Sequence, residues 1–172
     1  MGVFDTLKRW IKKLNPFSKK DGQEVVKELI KNPVSISKSI RDGEVTDGTL
    51  LYFEYDPKDK ENRFDKKPLI IVLGISRSYI LGINIHWINE GTRVEFANYL
   101  IGINTDAKGR IHVPLVFHYL DFKPLIKDPR FSKSVRLYIR RCMSLNGVII
   151  DPKYLIDALR LKLEHFVTLS QK

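Results

Sequence analysis

At 172 residues the chain holds about one domain's worth of sequence, since domains cluster near ~100–150 residues, and a hydrophobic content of 43% excludes wholesale disorder. Lys and Arg number 30 against 20 Asp and Glu, and the resulting net charge of +10 makes an anionic partner the first to consider: nucleic acid, a membrane surface or an acidic protein. The single cysteine, Cys142, excludes an intramolecular disulfide framework and any multi-cysteine zinc site.

In chain order, Phe4, Leu7, Ile11 and Leu14 recur at helical spacing, with Lys8, Arg9, Lys12 and Lys13 on the other side. This predicts a short basic amphipathic helix ended by Asn15-Pro16. The same lysines interrupt any apolar run, so the segment does not read as a signal peptide. Met1-Gly2 with Thr6 fits the loose myristoylation pattern, which chance meets often. Lys19 and Lys20 continue the basic stretch. Residues 1–20 therefore read as a basic N-terminal helix and linker, and residues 21–172 as a single α+β domain.

Asp21 and Glu24 form a capping-box pattern for a helix with Val25, Val26, Leu29 and Ile30 on its apolar face. Residues 34–48 are polar and turn-rich, with Asp42-Gly43 and Asp47-Gly48 as turn signals. Residues 50–55 read as a strand ended by Asp56-Pro57, and residues 56–67 as a solvated, charged loop. Leu69 to Leu73 read as a buried strand, Gly74 to Ser78 as a turn, and Tyr79 to Trp87 as a second strand with Gly82 at a bulge or a close backbone approach. The apolar run over residues 68–88 is nearly long enough to span a bilayer, but Arg77 in its middle fits a hairpin better.

Residues 90–101 predict a helix. Residues 111–120 are apolar but hold Pro114, so an edge strand followed by a helical turn is expected. Phe131, Val135, Tyr138, Ile139 and Cys142 follow helical spacing after the Asp128-Pro129 cap signal. The alternation of Val135, Leu137 and Ile139 permits a strand as well; helix is preferred, with Cys142 as a buried structural thiol. Val148 to Ile150 read as a short strand, and Lys153 to Leu169 as a final helix.

Residues able to carry catalysis are sparse. The four histidines show no HExxH or Cys/His cluster, and His112, His118 and Asp121 match no metal-ligand spacing, so neither a metal nor a cofactor is expected. Phosphate-binding glycine loops and a nucleophile elbow are missing, and no carboxylate pair stands out. The expectation is a non-enzyme. The basic residues carry more weight. Lys8, Arg9, Lys12, Lys13, Lys19 and Lys20 form one cluster, and Arg130, Lys133, Arg136, Arg140 and Arg141 a second. Such clusters neutralise phosphates without reading sequence, and Trp10, Tyr52, Tyr55 and Trp87 could stack on bases.

Three segments, Tyr52-Phe53-Glu54-Tyr55-Asp56-Pro57-Lys58, Pro68-Leu69-Ile70 and Gly82-Ile83-Asn84-Ile85-His86-Trp87, resemble a family of small proteins of large tailed bacteriophages. The resemblance covers residues 48–90. Where that family tends to carry Leu-Pro-Tyr-Tyr-Asp, this chain has a lysine-rich loop, with Asp65 as the remnant, and Trp87 replaces a tyrosine. The resemblance implies a virion-associated or DNA-handling protein and brings no catalytic residues with it.

The expected fold is α+β, a small bent antiparallel sheet or barrel flanked by helices. The expected function is a non-enzymatic phage protein in the virion or host cytoplasm that contacts nucleic acid, DNA first, without sequence specificity, during packaging, end protection or replication. The alternative is a structural virion component, a tail, baseplate or connector subunit, that docks on acidic protein neighbours among the phage structural proteins. Attachment of the N-terminal helix to a membrane surface is a third, weaker option. Asn84 and His86 are expected to bond neighbouring backbone rather than a ligand.

Overall fold

The structure is a computed structural model and describes residues 22–58, 63–110, 112 and 117–169. The predicted N-terminal helix, the myristoylation pattern and Lys8, Arg9, Lys12, Lys13, Lys19 and Lys20 lie outside the described residues.

The chain runs α1 (Gly22–Ile30), β1 (Val34–Ser35), α2 (Ile36–Arg41), β2 (Leu50–Tyr55), β3 (Arg63–Asp65), β4 (Leu69–Ile75), β5 (Tyr79–Asn84), a 3-10 turn (Ile85–Trp87) and α3 (Glu90–Ile103). It continues through α4 (Tyr119–Ile126), α5 (Pro129–Ser132), β6 (Val135–Ile139), a 3-10 turn (Arg140–Cys142), β7 (Met143–Ile150), a 3-10 turn (Pro152–Tyr154), α6 (Leu155–Arg160) and β8 (Phe166–Thr168). Six strands form one antiparallel sheet in the order β1-β7-β2-β4-β5-β6, and β3 pairs with β8 in a separate two-stranded ladder. The α+β expectation holds, and the sheet is bent but not closed into a barrel.

Register explains why both faces are apolar. Ile150, Leu50, Ile71, Ile83 and Val135 stand side by side across five strands. They face the larger core, which takes Val26 from α1, Phe96, Leu100 and Ile101 from α3, Phe122 from α4 and Leu155 from α6. One residue along, the row Ile149, Leu51, Ile70 and Asn84 points the other way. There Leu51 and Ile70 join Phe53, Val72, Ile80, Tyr138 and Ile36 of α2 in a second core. The strand period of two makes these two rows alternate along each strand.

The sheet curls over this second core. Tyr138 on β6 meets Phe53 and Tyr55 on β2 edge-on at 5.2 and 5.0 Å, although β4 and β5 separate the two strands. The 3-10 turn Arg140–Cys142 links the edge strand β6 directly to β7, next to the end of β2. A gap is left between the β6 edge and β2. At Gly82, which pairs with Val72 beside a register shift, an added Cβ would lie 2.8 Å from Ile70 Cδ1 and 3.1 Å from the Ile71 carbonyl oxygen. The bare α-carbon is what lets the curled strands approach.

Four local expectations are corrected. The region 131–142 is mainly the strand β6, because Val135 to Ile139 satisfy their backbone groups against β5 in register with Ile83 to Tyr79. Cys142 sits in a 3-10 turn, half-buried, rather than in a helix core. The final helix stops at Arg160, and the chain then runs extended into β8, held by β3. Within the turn-rich stretch 34–48, Ser35 caps α2 by accepting from the Lys38 amide.

Candidate functional site

Four side chains from separate elements meet at the end of β5. Asn84 closes that strand with no exposed surface, and its Nδ2 donates to Asp65 Oδ2 and to the Tyr138 hydroxyl, both at 3.0 Å. Its Oδ1 accepts from the His86 amide at 2.9 Å, which starts the 3-10 turn and swings the next side chain inward. His86 Nδ1 then lies 2.6 Å from the same Asp65 oxygen. Asp65 Oδ1 accepts from the amides of Lys67 at 3.0 Å and His165 at 3.4 Å. The Asn84 side chain thus bonds backbone as well as side chains, whereas the His86 ring, expected to bond backbone, bonds the Asp65 carboxylate instead.

Burial would raise the Asp65 carboxyl, but hydrogen bonds from His86, Asn84 and the Lys67 amide, with attraction to His86, outweigh it and hold the group below its ordinary value. As Asp65 is a carboxylate, the proton of the short contact belongs to His86 Nδ1, and Nε2 is the remaining ring nitrogen. Nε2 is buried and has no hydrogen-bond partner. Burial also pushes the Tyr138 hydroxyl well above its ordinary value, so it stays protonated. Arg93 braces the turn from behind: Nε donates to the Ile88 carbonyl at 2.9 Å, Nη2 to the His86 carbonyl at 3.3 Å, and Nη2 pairs with Glu164 at 2.7 Å.

In front of this network the gap in the curled sheet opens as a cleft of about 320 Å³. Tyr55, Phe64, Trp87 and Tyr138 supply rings to its wall, and Lys58, Arg136 and Arg141 supply cations. Among the described residues Asp65 is the one carboxylate on that wall, and its oxygens are engaged by the network. Trp87 carries the Arg136 guanidinium over its ring at 4.2 Å and the Arg63 guanidinium at 5.9 Å. Phe166 of β8 meets Trp87 edge-on at 5.0 Å and takes Arg63 at 4.4 Å. The C-terminal strand therefore helps to set the indole that holds Arg136.

The second basic cluster is dispersed. Arg130 pairs with Asp128 at 2.8 Å and with Glu95, on the α5 side. Lys133 is exposed at the end of α5. Arg140 Nη1 donates to the Ser76 and Arg77 carbonyls at 3.3 Å each, tying down the β4–β5 hairpin. Only Arg136 and Arg141 reach the cleft. Asp65, expected in a solvated turn because its neighbours in sequence are charged, is instead 4% exposed. Two of the three segments of the phage resemblance reach this place: Tyr55, Pro57 and Lys58 from the first and Trp87 from the third line the cleft, with Asn84 and His86 behind it.

His112 is exposed, and its amide donates to the Asn104 carbonyl at 2.7 Å, while Asp121 accepts from the His118 amide to cap α4. Among the described residues no group of three or more His, Cys, Asp or Glu is placed to hold a metal, and no helix is long and apolar enough to cross a membrane. Comparison of the chain with family models, curated proteins and solved structures finds no match.

Proposed function

We propose that this is a non-enzymatic phage protein that contacts nucleic acid, DNA first, without reading its sequence, during packaging, end protection or replication. The observation that carries the reading is the cleft, where three cations and four aromatic rings line one space and Asp65, the carboxylate among its described lining residues, is engaged by His86 and Asn84. Cations neutralise phosphates and ring faces take bases, and neither contact distinguishes one base from another. The net charge of +10 adds a long-range attraction for the same partner. The phage assignment rests on the resemblance over residues 48–90, two of whose three segments line this cleft. A non-enzymatic role is favoured by the seclusion of His86: its side chain is 2% exposed and is not part of the cleft wall.

A structural virion component is the second reading. The net charge of +10 supports it equally, since the same cations can dock on acidic protein neighbours. Binding of fluorescent DNA, as single strand and duplex, across a salt series tests the first reading. Affinity should fall linearly with the logarithm of salt, each neutralised phosphate adding ~0.9 to the slope on duplex and ~0.7 on single strands. Absence of binding to either form at low salt rejects it.

A further inference from the structure

We infer that a recess between the tip of the β4–β5 hairpin and the start of β7 seats one backbone phosphate of nucleic acid, held by Arg77 and Arg140. The choice of partner rests on the nucleic-acid reading. The seat itself is distinct from the cleft, which takes Arg141 from the same 3-10 turn. The recess measures about 380 Å³, and its polar lining is Arg77, Arg140, Ser37 and Ser144. No carboxylate lines it among the described residues.

Folding brings the two arginines to one place. Ser76 Oγ accepts from the Tyr79 amide at 3.0 Å and closes the hairpin turn from which Arg77 stands exposed. The β5–β6 ladder runs on past Ile139, with the Arg140 amide donating to the Ser78 carbonyl at 2.9 Å. Arg140 Nη1 then donates back to the Ser76 and Arg77 carbonyls, and Nη2 reaches Ser37 Oγ at 3.5 Å. These acceptors are uncharged, so they orient the guanidinium without neutralising it. Nε and one Nη2 hydrogen are left over, the edge that takes two phosphate oxygens side by side. A guanidinium already oriented loses less conformational freedom when it binds. The Arg77 side chain forms no hydrogen bond or ion pair among the described residues. Ser37 accepts from Arg140 and keeps its own hydroxyl proton to donate, whereas the Ser144 proton is spent on the Asn146 carbonyl at 2.7 Å. Two like charges lining one recess repel each other, and an anion between them turns that repulsion into attraction.

The test measures binding of a short fluorescent DNA duplex to the full chain across a salt series. The variants are Arg77→Gln, and Arg77→Gln combined with Arg140→Gln. The control, Lys108→Gln with Lys123→Gln, removes the same charge at exposed positions elsewhere. The double variant should bind about tenfold more weakly near ~0.1 M salt, with a salt slope lower by ~0.9, the share of one phosphate. Arg77→Gln alone should lose about threefold or more with an unchanged thermal midpoint, and it carries the test if the double variant does not fold. The control should lose less than about twofold, because charges acting only at long range are screened over ~10 Å at that salt. Equal losses in the control and the double variant, or full affinity in Arg77→Gln, overturn the inference and leave non-specific nucleic-acid contact standing. Because Leu145 at the rim is 86% exposed, vesicles containing phosphatidylserine are a second probe, and polyglutamate is a third. Binding of the unaltered protein to either of these but not to DNA, or to no probe at all, overturns both.

Discussion

His86 Nδ1 lies 2.6 Å from Asp65 Oδ2, with the two side chains only 2% and 1% exposed. An ionised carboxylate is tolerable there because every neighbouring contact to it is a donor: the imidazole, the Asn84 amide and two backbone N–H groups. The pair joins β3, which lies outside the main sheet, to the turn after β5.

Removing one partner should therefore cost much more than a surface change. His86→Ala leaves Asp65 buried without its strongest donor, and a loss of about 3–5 kcal/mol is expected. Asn84→Leu removes donors to both Asp65 and Tyr138 and should cost about 1–3 kcal/mol. Urea unfolding reads both, as a lower midpoint with an unchanged slope. A loss of less than about 0.5 kcal/mol for His86→Ala, the range of ordinary surface changes, would show that the pair does not hold the fold.

The pH dependence has a definite sign. The Asp65 carboxyl is held below its ordinary value in the folded protein, whereas in the unfolded chain it titrates near ~3.9. Its contribution is fully present above that unfolded value and is lost as the pH falls through the folded one. Stability followed by circular dichroism should drop on acidification below about pH 4. In Asp65→Asn that part of the acid loss should shrink, on a lower baseline stability.

At Gly82 a side chain has nowhere to go. A Cβ would press on Ile70 Cδ1, which can yield, but also on the Ile71 carbonyl, which is fixed in the ladder. Gly82→Val should destabilise by about 1–3 kcal/mol, the usual cost of overpacking. Thermal unfolding checks it, and an unchanged midpoint would mean that the β4–β5 approach is looser than described.

Among the described residues the C-terminal strand pairs only with β3. Deleting residues 165–172 should leave the six-stranded sheet folded and lower the midpoint modestly. It should also free Trp87 from Phe166 and Arg63 from its ring. In the Trp10→Phe background the emission of Trp87 should shift to the red, and an unshifted spectrum would show that β8 does not set the indole.

Local sequence determined the elements whose signals agree with one another. The hairpin Leu69 to Asn84 is legible because two β-branched runs flank a polar turn, in which Ser76 Oγ accepts from the Tyr79 amide. Helix α1 follows from its capping box and apolar spacing and α3 from apolar spacing, as near-neighbour contacts along one helix are encoded within a few residues. Val135 to Ile139 carries both periods, and only the open edge of β5 made it a strand: a backbone that can pair there gains a ladder that no local propensity records. Residues 166–168 likewise gave up helix for pairing with β3. The site lay furthest from sequence reasoning. Asp65 is 21 residues from His86 and 100 from His165, and Tyr138 is 54 from Asn84. Its charged neighbours made Asp65 read as solvent-facing, and the pairing of β3 with β8, together with the turn after β5, placed it between donors that permit burial. The basic residues were plain in the composition, yet which of them share a surface was decided by the fold: Arg130 went to Asp128, Arg140 to the hairpin carbonyls, and Arg136 to the face of Trp87. A cation's charge is fixed by its type, but its availability depends on the partners that folding places within reach.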